Sequence, residues 1–294
     1  MRNLLAAAAL ILAGALIAMP ANAQNHRGID DDHGVEAEGT FAFVDGSDIG
    51  DRGEKEIAYG FDAALGKRGG TFRRLMPSVE FGYAATDRLH VALELFAEHF
   101  RVRNNPDFAN QNRWGGGAAV EFKTLLVPRG EGSTPGVAIA LAPHYSSSDD
   151  GSGEAATKFA LESRLIVDAE LVANRLFSAV NLIYEKERAR PRGGPWEKGS
   201  QFGISAGLSA PLSPAVSVSG ELQYFRKYEG YFMNRFLGHA LYIGPALHVM
   251  LGEHSSITLG WQVQVAGRVR GESGRLDLEH FDRHRVKWSF STHY

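Results

Sequence analysis

The chain has 294 residues, no cysteine and a formal net charge of −3, with a mean hydropathy of −0.20. That balance excludes a bundle of membrane helices and favours neither a polybasic membrane tether nor a nucleic-acid-binding surface. The absence of cysteine excludes a disulfide framework, so an exported chain of this kind must be held together by other means.

Taken from the N-terminus, Arg2 precedes an apolar run from Leu4 to Met19 that ends at Ala21-Asn22-Ala23. The run is shorter than the roughly 20 residues a spanning helix needs and carries a small-residue cleavage pattern, so residues 1–23 read as a signal peptide cleaved after Ala23. Residues 24–54 read as an N-terminal extension, periplasmic or entering a lumen. Its first part, around Asp30-Asp31-Asp32, reads as disordered. Glu36 to Phe43 alternates like a strand, but a thirteenth strand would make an odd count, which single bacterial barrels avoid.

From Lys55 the pattern has period two. Strands are predicted near 55–66, 71–84, 88–103, 112–127, 134–147, 156–171, 174–188, 197–210, 214–228, 238–251, 255–269 and 282–294. In the third, Leu89, Val91, Leu93 and Leu95 oppose His90, Glu94 and Glu98. In the sixth, Phe159, Leu161, Leu165 and Val167 oppose Glu162, Arg164 and Asp168. The last segment places Val286, Trp288, Phe290 and Tyr294 on one face. A strand so aromatic would be an aggregation hazard as an open edge and is at home as the closing strand of a membrane barrel.

Tight turns such as Ala173-Asn174-Arg175 and Gly252-Glu253-His254 alternate with longer polar segments such as 103–112, 188–197 and 270–281. Short turns on one side and long loops on the other are the asymmetry of an outer-membrane barrel, with the short turns periplasmic. Tyr83, Tyr145, Tyr184, Tyr224, Tyr228, Trp261, Trp288 and Tyr294 lie near strand ends or on outward faces, as interfacial belts require. The predicted fold is an all-β, transmembrane, antiparallel up-and-down barrel of about twelve strands over residues 55–294.

The inward face carries the chemistry. Glu94, Glu162, Arg164, Asp168, Glu221, Gln223, Gln262 and Gln264 are predicted to line the lumen, because ionisable groups on that face must meet water or one another. They make either a charge-lined pore or a carboxylate–cation ladder filling a narrow one. Gly203-Ile204-Ser205-Ala206-Gly207 matches a nucleophile-elbow pattern but sits inside an alternating strand with no helix after it, so catalysis at Ser205 is not expected. Asp45 to Glu56 has the length of a calcium loop, but Ile49 occupies a ligand position and no helices flank it, so it reads as an acidic turn leading into the first strand. His280 and His284 with Asp277, Glu279 and Asp282 make a polar cluster read as solvated loop charge, and no metal or other cofactor is called for. The basic segments Lys67-Arg68, Arg73-Arg74 and Arg188 to Arg192 fit loop solubility, pairing with lipopolysaccharide phosphates or steering of an anionic solute.

Asp45 to Glu56, then Gly66-Lys67-Arg68-Gly69-Gly70, then Val79-Glu80-Phe81-Gly82-Tyr83-Ala84-Ala85-Thr86-Asp87-Arg88-Leu89 resembles a group of bacterial outer-membrane proteins, the phenol-degradation meta-pathway transporters. Tyr242-Ile243-Gly244-Pro245 and Trp261 to Gly267 are similar to the tail of that group. The resemblance implies an outer-membrane channel for a small solute, hydrophobic or aromatic solutes among them, and carries no catalytic residue.

The expected function is passive passage of a small solute across the bacterial outer membrane. The alternatives are a lipid-modifying barrel enzyme, for which Ser146–Ser148 beside His144 is the nearest approach to a Ser–His pair, and a structural barrel with a plugged lumen. Expected partners are outer-membrane lipid and lipopolysaccharide, the solute, and the barrel assembly machinery, which would read the strand ending at Tyr294.

Overall fold

The structure, a computed structural model, describes residues 39–130 and 134–294. The predicted signal peptide over 1–23, the acidic stretch over 24–34 and the start of the 36–44 segment lie outside the described residues.

Twelve strands follow in order: β1 (Lys55–Leu65), β2 (Thr71–Thr86), β3 (Leu89–Arg103), β4 (Gln111–Val127), β5 (Gly136–Ser148), β6 (Ala155–Val172), β7 (Leu176–Pro191), β8 (Glu197–Ser213), β9 (Val216–Glu229), β10 (Arg235–Met250), β11 (Ser255–Val269) and β12 (His284–His293). Each pairs antiparallel with its neighbours in sequence, and β1 pairs with β12 to close the barrel. The terminal strand is therefore no free edge: Phe290 faces Tyr59 on β1 and Ile257 on β11.

Alternation decides which side chains face out. Phe81, Leu95, Phe122, Leu141, Leu182 and Leu259 are among the large apolar side chains left exposed, and β1 to β11 each supply at least one. Each such side chain would gain about 1.5–3 kcal/mol from full burial, so an outside this apolar is matched to hydrocarbon rather than to water. The opposite parity is polar and buried: Glu98, Lys123, Asp168, Asn181, Glu221 and Gln262 are each under a tenth exposed.

The strands overrun several predicted ends. β7 continues to Pro191, so Arg188 and Arg190 stand on the barrel wall, where the sequence pattern places a loop. Pro77, Pro143 and Pro245 pair with Phe61, Leu161 and Gly220 on one side only. On their other side the ladder is locally interrupted, since proline has no N–H to give. Short connections at 87–88, 173–175, 214–215 and 251–254 share one end with the 128–135 turn, and the 66–70, 104–110, 149–154, 192–196, 230–234 and 270–283 connections share the other.

Candidate functional site in the barrel lumen

Residues 39–49 join no ladder. They cross the barrel interior at the short-turn end, bonded to inward side chains of β6, β7, β9 and β11. The Thr258 hydroxyl donates to the Gly39 carbonyl at 2.8 Å. Glu221 accepts the Ala42 and Phe43 amides at 2.8 and 2.7 Å, and the Gln223 amide donates to the Phe43 carbonyl at 2.9 Å. Asn181 accepts from the Asp45 N–H at 2.8 Å and donates to its carbonyl at 2.9 Å. Ser47 gives Asp168 both its N–H (3.0 Å) and its hydroxyl (2.7 Å). Arg129 bridges Asp168 and Asp48 at 3.0 and 3.2 Å. Wall side chains thus satisfy the backbone of a segment that has no strand partner, as burial of peptide groups demands.

Apolar packing completes the seat. Phe41, Ala42, Val44 and Ile49 are buried. Two wall glycines admit them: a Cβ at Gly207 would lie 2.6 Å from the Phe41 ring, and one at Gly260 would lie 2.3 Å from the Ala42 Cβ. The Gly-x-Ser-x-Gly run therefore serves packing. Ser205 itself donates to Asn181 at 3.2 Å.

Arg164 joins Asp45 of the segment to Glu121 on β4, and its Nε lies 3.0 Å from Glu162. Burial raises the Asp45 pKa, but the nearby charges of Arg164, Lys287 and Lys123 outweigh it and hold the carboxyl below its ordinary value. A depressed carboxylate pKa stabilises docking in full above the unfolded value of about 3.9 and loses that contribution as pH falls through the docked value. Hydrogen exchange in the 40–48 peptide, corrected for its intrinsic pH dependence, is expected to stay flat from pH 8 to 5 and to rise below about pH 4. Asp45→Asn should remove the extra acid sensitivity. A profile identical in the two chains would disprove the role of Asp45.

A second segment folds in from the other end. In the β11–β12 connection, Asp277 is fully buried and exchanges two bonds with Gln264: its N–H donates at 2.7 Å and its carbonyl accepts at 3.0 Å. The Tyr242 hydroxyl donates to the Asp282 carbonyl at 2.6 Å. Phe281 packs with Ile183, Phe225, Ala240 and Tyr242, and Arg285 lies 4.2 Å from the Tyr242 ring centre. His280 turns to Asp277 at 3.1 Å, while His284 leaves that cluster and stacks on Trp261. Among the described residues no group of three or more metal-ligating side chains is placed to hold an ion. Beside the infolded loop, Lys158 meets Asp150 at 2.6 Å and Glu187 at 2.7 Å, and Lys227 lies 3.5 Å from Glu187. Burial pushes the Lys67 ammonium in the first long-end loop below its ordinary value, with Asp282 offsetting only part of it.

Of the eight lumen residues predicted, Arg164, Asp168, Glu221 and Gln223 hold the N-terminal segment and Glu162 touches it through Arg164. Gln264 holds the last loop. Glu94 faces Glu80 across β2–β3, and Gln262 is fully buried with no protein partner for its amide. Sequence reasoning missed Asp45, Ser47, Arg129 and Asn181, and left Thr258 out of the lumen set although it shares a face with Gln262 and Gln264. Asn181 and Thr258 share the inward parity of their strands, which is the signal that would have found them. Ser146, weighed as half of a Ser–His pair, donates to Glu98 at 2.9 Å.

A closed antiparallel barrel with an apolar exterior and a polar interior is the architecture of a bacterial outer-membrane β-barrel. The chain belongs to a family of unknown function (DUF6662), whose pattern matches residues 33–294. No curated protein matches it. Among solved structures it is similar to the COG4313 outer membrane channel from Pseudomonas putida F1, with 9% identity and a TM-score of 0.55, covering 83% of this chain and 96% of that one. It is also similar to the translocator domain of the autotransporter NalP from Neisseria meningitidis (11% identity, TM-score 0.54, 83% and 90% covered). The β domain of the Bordetella autotransporter BrkA is a third (12%, 0.53, 82% and 99%). At these identities the likeness is one of fold.

Proposed function

We propose that the chain is an outer-membrane channel for passive passage of a small solute, drawn in this structure in a closed state. The observation that carries this reading is the way the N-terminal segment is held. Residues 39–49 fill the short-turn end through side-chain anchors at Asn181, Asp168 and Glu221, and not through a ladder with the wall, so they can leave while the barrel stays intact. The solute class is a hydrophobic or aromatic small molecule. Its support is the resemblance to the phenol-degradation meta-pathway transporters, the fold shared with a Pseudomonas outer-membrane channel, and the Phe225–Tyr242–Phe281 cluster at the long-loop end.

The second reading, a structural barrel with a permanently plugged lumen, draws on the Lys158–Asp150–Glu187–Lys227 ladder. Planar-bilayer recording separates the two. A folded variant with both infolded segments loosened (Glu221→Ala, Asp168→Ala, Gln264→Leu and Phe281→Ala together) is expected to give discrete conductance steps. A correctly folded variant that stays silent would leave the structural reading standing.

The proposal includes export with residues 1–23 removed at Ala23, short turns in the periplasm, and recognition of the last strand by the assembly machinery. Tyr294 exchanges two backbone bonds with Lys55, at 2.9 and 3.2 Å, and is otherwise 73% exposed. Two such bonds are worth about 1–3 kcal/mol together, so deleting Tyr294 should lower inserted protein in cells severalfold while shifting thermal unfolding of the refolded barrel by only a few degrees. Normal insertion of the truncated chain would argue against the signal role.

A further inference from the structure

The outer wall at the long-loop end carries cations in a pattern the channel reading leaves unused. On β7 the outward parity runs Val180, Leu182, Tyr184, Lys186, Arg188 and Arg190, so apolar residues give way to three cations. Arg188 pairs across the ladder with Lys198 on β8 and with Phe159 on β6. Arg226 on β9 faces Phe202 on β8, and its Nε is buried without a partner.

These cations are held by rings. The Arg188 guanidinium lies 5.2 Å from the Phe159 ring centre and 4.9 Å from that of Trp196, and Arg190 lies 5.0 Å from Trp196. Lys198 sits over Tyr231 at 5.2 Å and Arg226 over Phe236 at 4.7 Å. Ring faces fix a guanidinium without neutralising it, which leaves its N–H edges for an anion. The inward and loop cations are treated differently: Arg164, Lys158, Lys227, Arg68 and Arg235 each meet a carboxylate. Among the described residues none of Lys186, Arg188, Arg190, Lys198 and Arg226 does so, and the outward face of β6 to β9 carries no carboxylate above Tyr184. Beside them a cavity of about 520 Å³ opens on the outside of the barrel. Its lining includes Tyr145, Ser147, Thr157, Arg190 and Arg192, which are two guanidinium groups among hydroxyls.

Height selects the ligand. Arg188 stands six residues beyond Leu182, roughly 20 Å along the strand and less along the membrane normal because strands tilt. That places the cations just above the apolar band, where the phosphates of a lipid whose chains run down the wall would lie. The exposed rings of Tyr145, Phe159 and Trp196 sit at the same level. We propose that the β6–β9 outer wall is a binding site for the phosphorylated glucosamine headgroup of lipid A, with Arg188, Arg190, Arg192 and Lys198 taking the phosphates and the neighbouring rings seating the sugar and upper acyl chains. This rests on the outer-membrane reading above and deepens it by naming the lipid and the wall.

The test uses the full mature chain in detergent, titrated with bis-phosphorylated lipid A in mixed micelles and read by native mass spectrometry. Binding is expected to weaken at least tenfold in Arg188→Gln/Arg190→Gln/Lys198→Gln, and equally when wild-type protein meets lipid A stripped of both phosphates. Unchanged binding in either arm overturns the proposal. So does full displacement by millimolar inorganic phosphate, which would mark a simple anion site. Should the triple variant fail to fold, as judged by heat-modifiable mobility, Arg190→Gln/Arg192→Gln at the loop edge carries the same expectation. Conductance of the variant loosened at both ends distinguishes the two readings: if it conducts while the chain ignores the phosphates, this site alone is overturned, and phosphate-dependent binding by a chain whose loosened variant stays silent sustains the site without the channel.

Discussion

Replacing Glu221 and Asp168 together with Ala is expected to free residues 39–49 while the barrel remains folded. Glu221 accepts two backbone N–H groups and Asp168 accepts an N–H and a hydroxyl from Ser47, with Arg129 beside it. Hydrogen bonds to a charged acceptor contribute about 1.5–3 kcal/mol each. Losing even one such bond's worth at each site costs roughly 3–6 kcal/mol of docking, a shift of about 10²–10⁴ in the freed population. The absence of cysteine makes the measurement clean. Ala42, 4% exposed, can be changed to Cys as a reporter and its maleimide labelling rate followed at neutral pH. The rate should rise by that factor in the double variant while heat-modifiable mobility is unchanged. Equal labelling would show that the segment is held by the wall as a whole and not by these two carboxylates.

The wall of this barrel was readable from the alternation and the filling of it was not. The period-two pattern from Lys55 to Tyr294 fixes side-chain parity strand by strand, and parity alone puts Glu221, Asp168 and Gln264 inside. Strand ends were harder. Lys186, Arg188 and Arg190 replace apolar residues on the outward face above the membrane band, so the hydrophobic signal fades there although the ladder continues. The N-terminal segment was hardest, because its structure is made of contacts 179, 136 and 121 residues apart in sequence, at Ala42–Glu221, Asp45–Asn181 and Ser47–Asp168. No local pattern encodes those. Asp45 to Glu56 reads locally as an acidic turn, and only the ring of inward acceptors gives its peptide groups somewhere to bond.

The long-loop end should respond to loss of its anchors in the same way. Gln264→Leu removes both bonds to the Asp277 peptide and leaves that buried N–H and carbonyl without their partner, a cost of about 1–3 kcal/mol for each group. Phe281→Ala removes the ring stacked on Phe225 and adds about 3–5 kcal/mol. The loop carries Arg270 and Arg275, and Asp277 between Arg275 and Phe281 is fully buried in the native barrel. Trypsin added outside intact cells should therefore nick the double variant at Arg275 at least a hundredfold faster than wild type, and an unchanged rate would show that the loop is held elsewhere. Current through two constrictions in series is set by the narrower. Loosening this loop alone should leave conductance low, since residues 39–49 still close the far end, and loosening that segment alone leaves the Phe281 cluster in the path. The variant loosened at both ends should conduct more than the two single-end variants combined. An additive result would mean that one segment alone is the barrier, and comparing the two single-end variants identifies which.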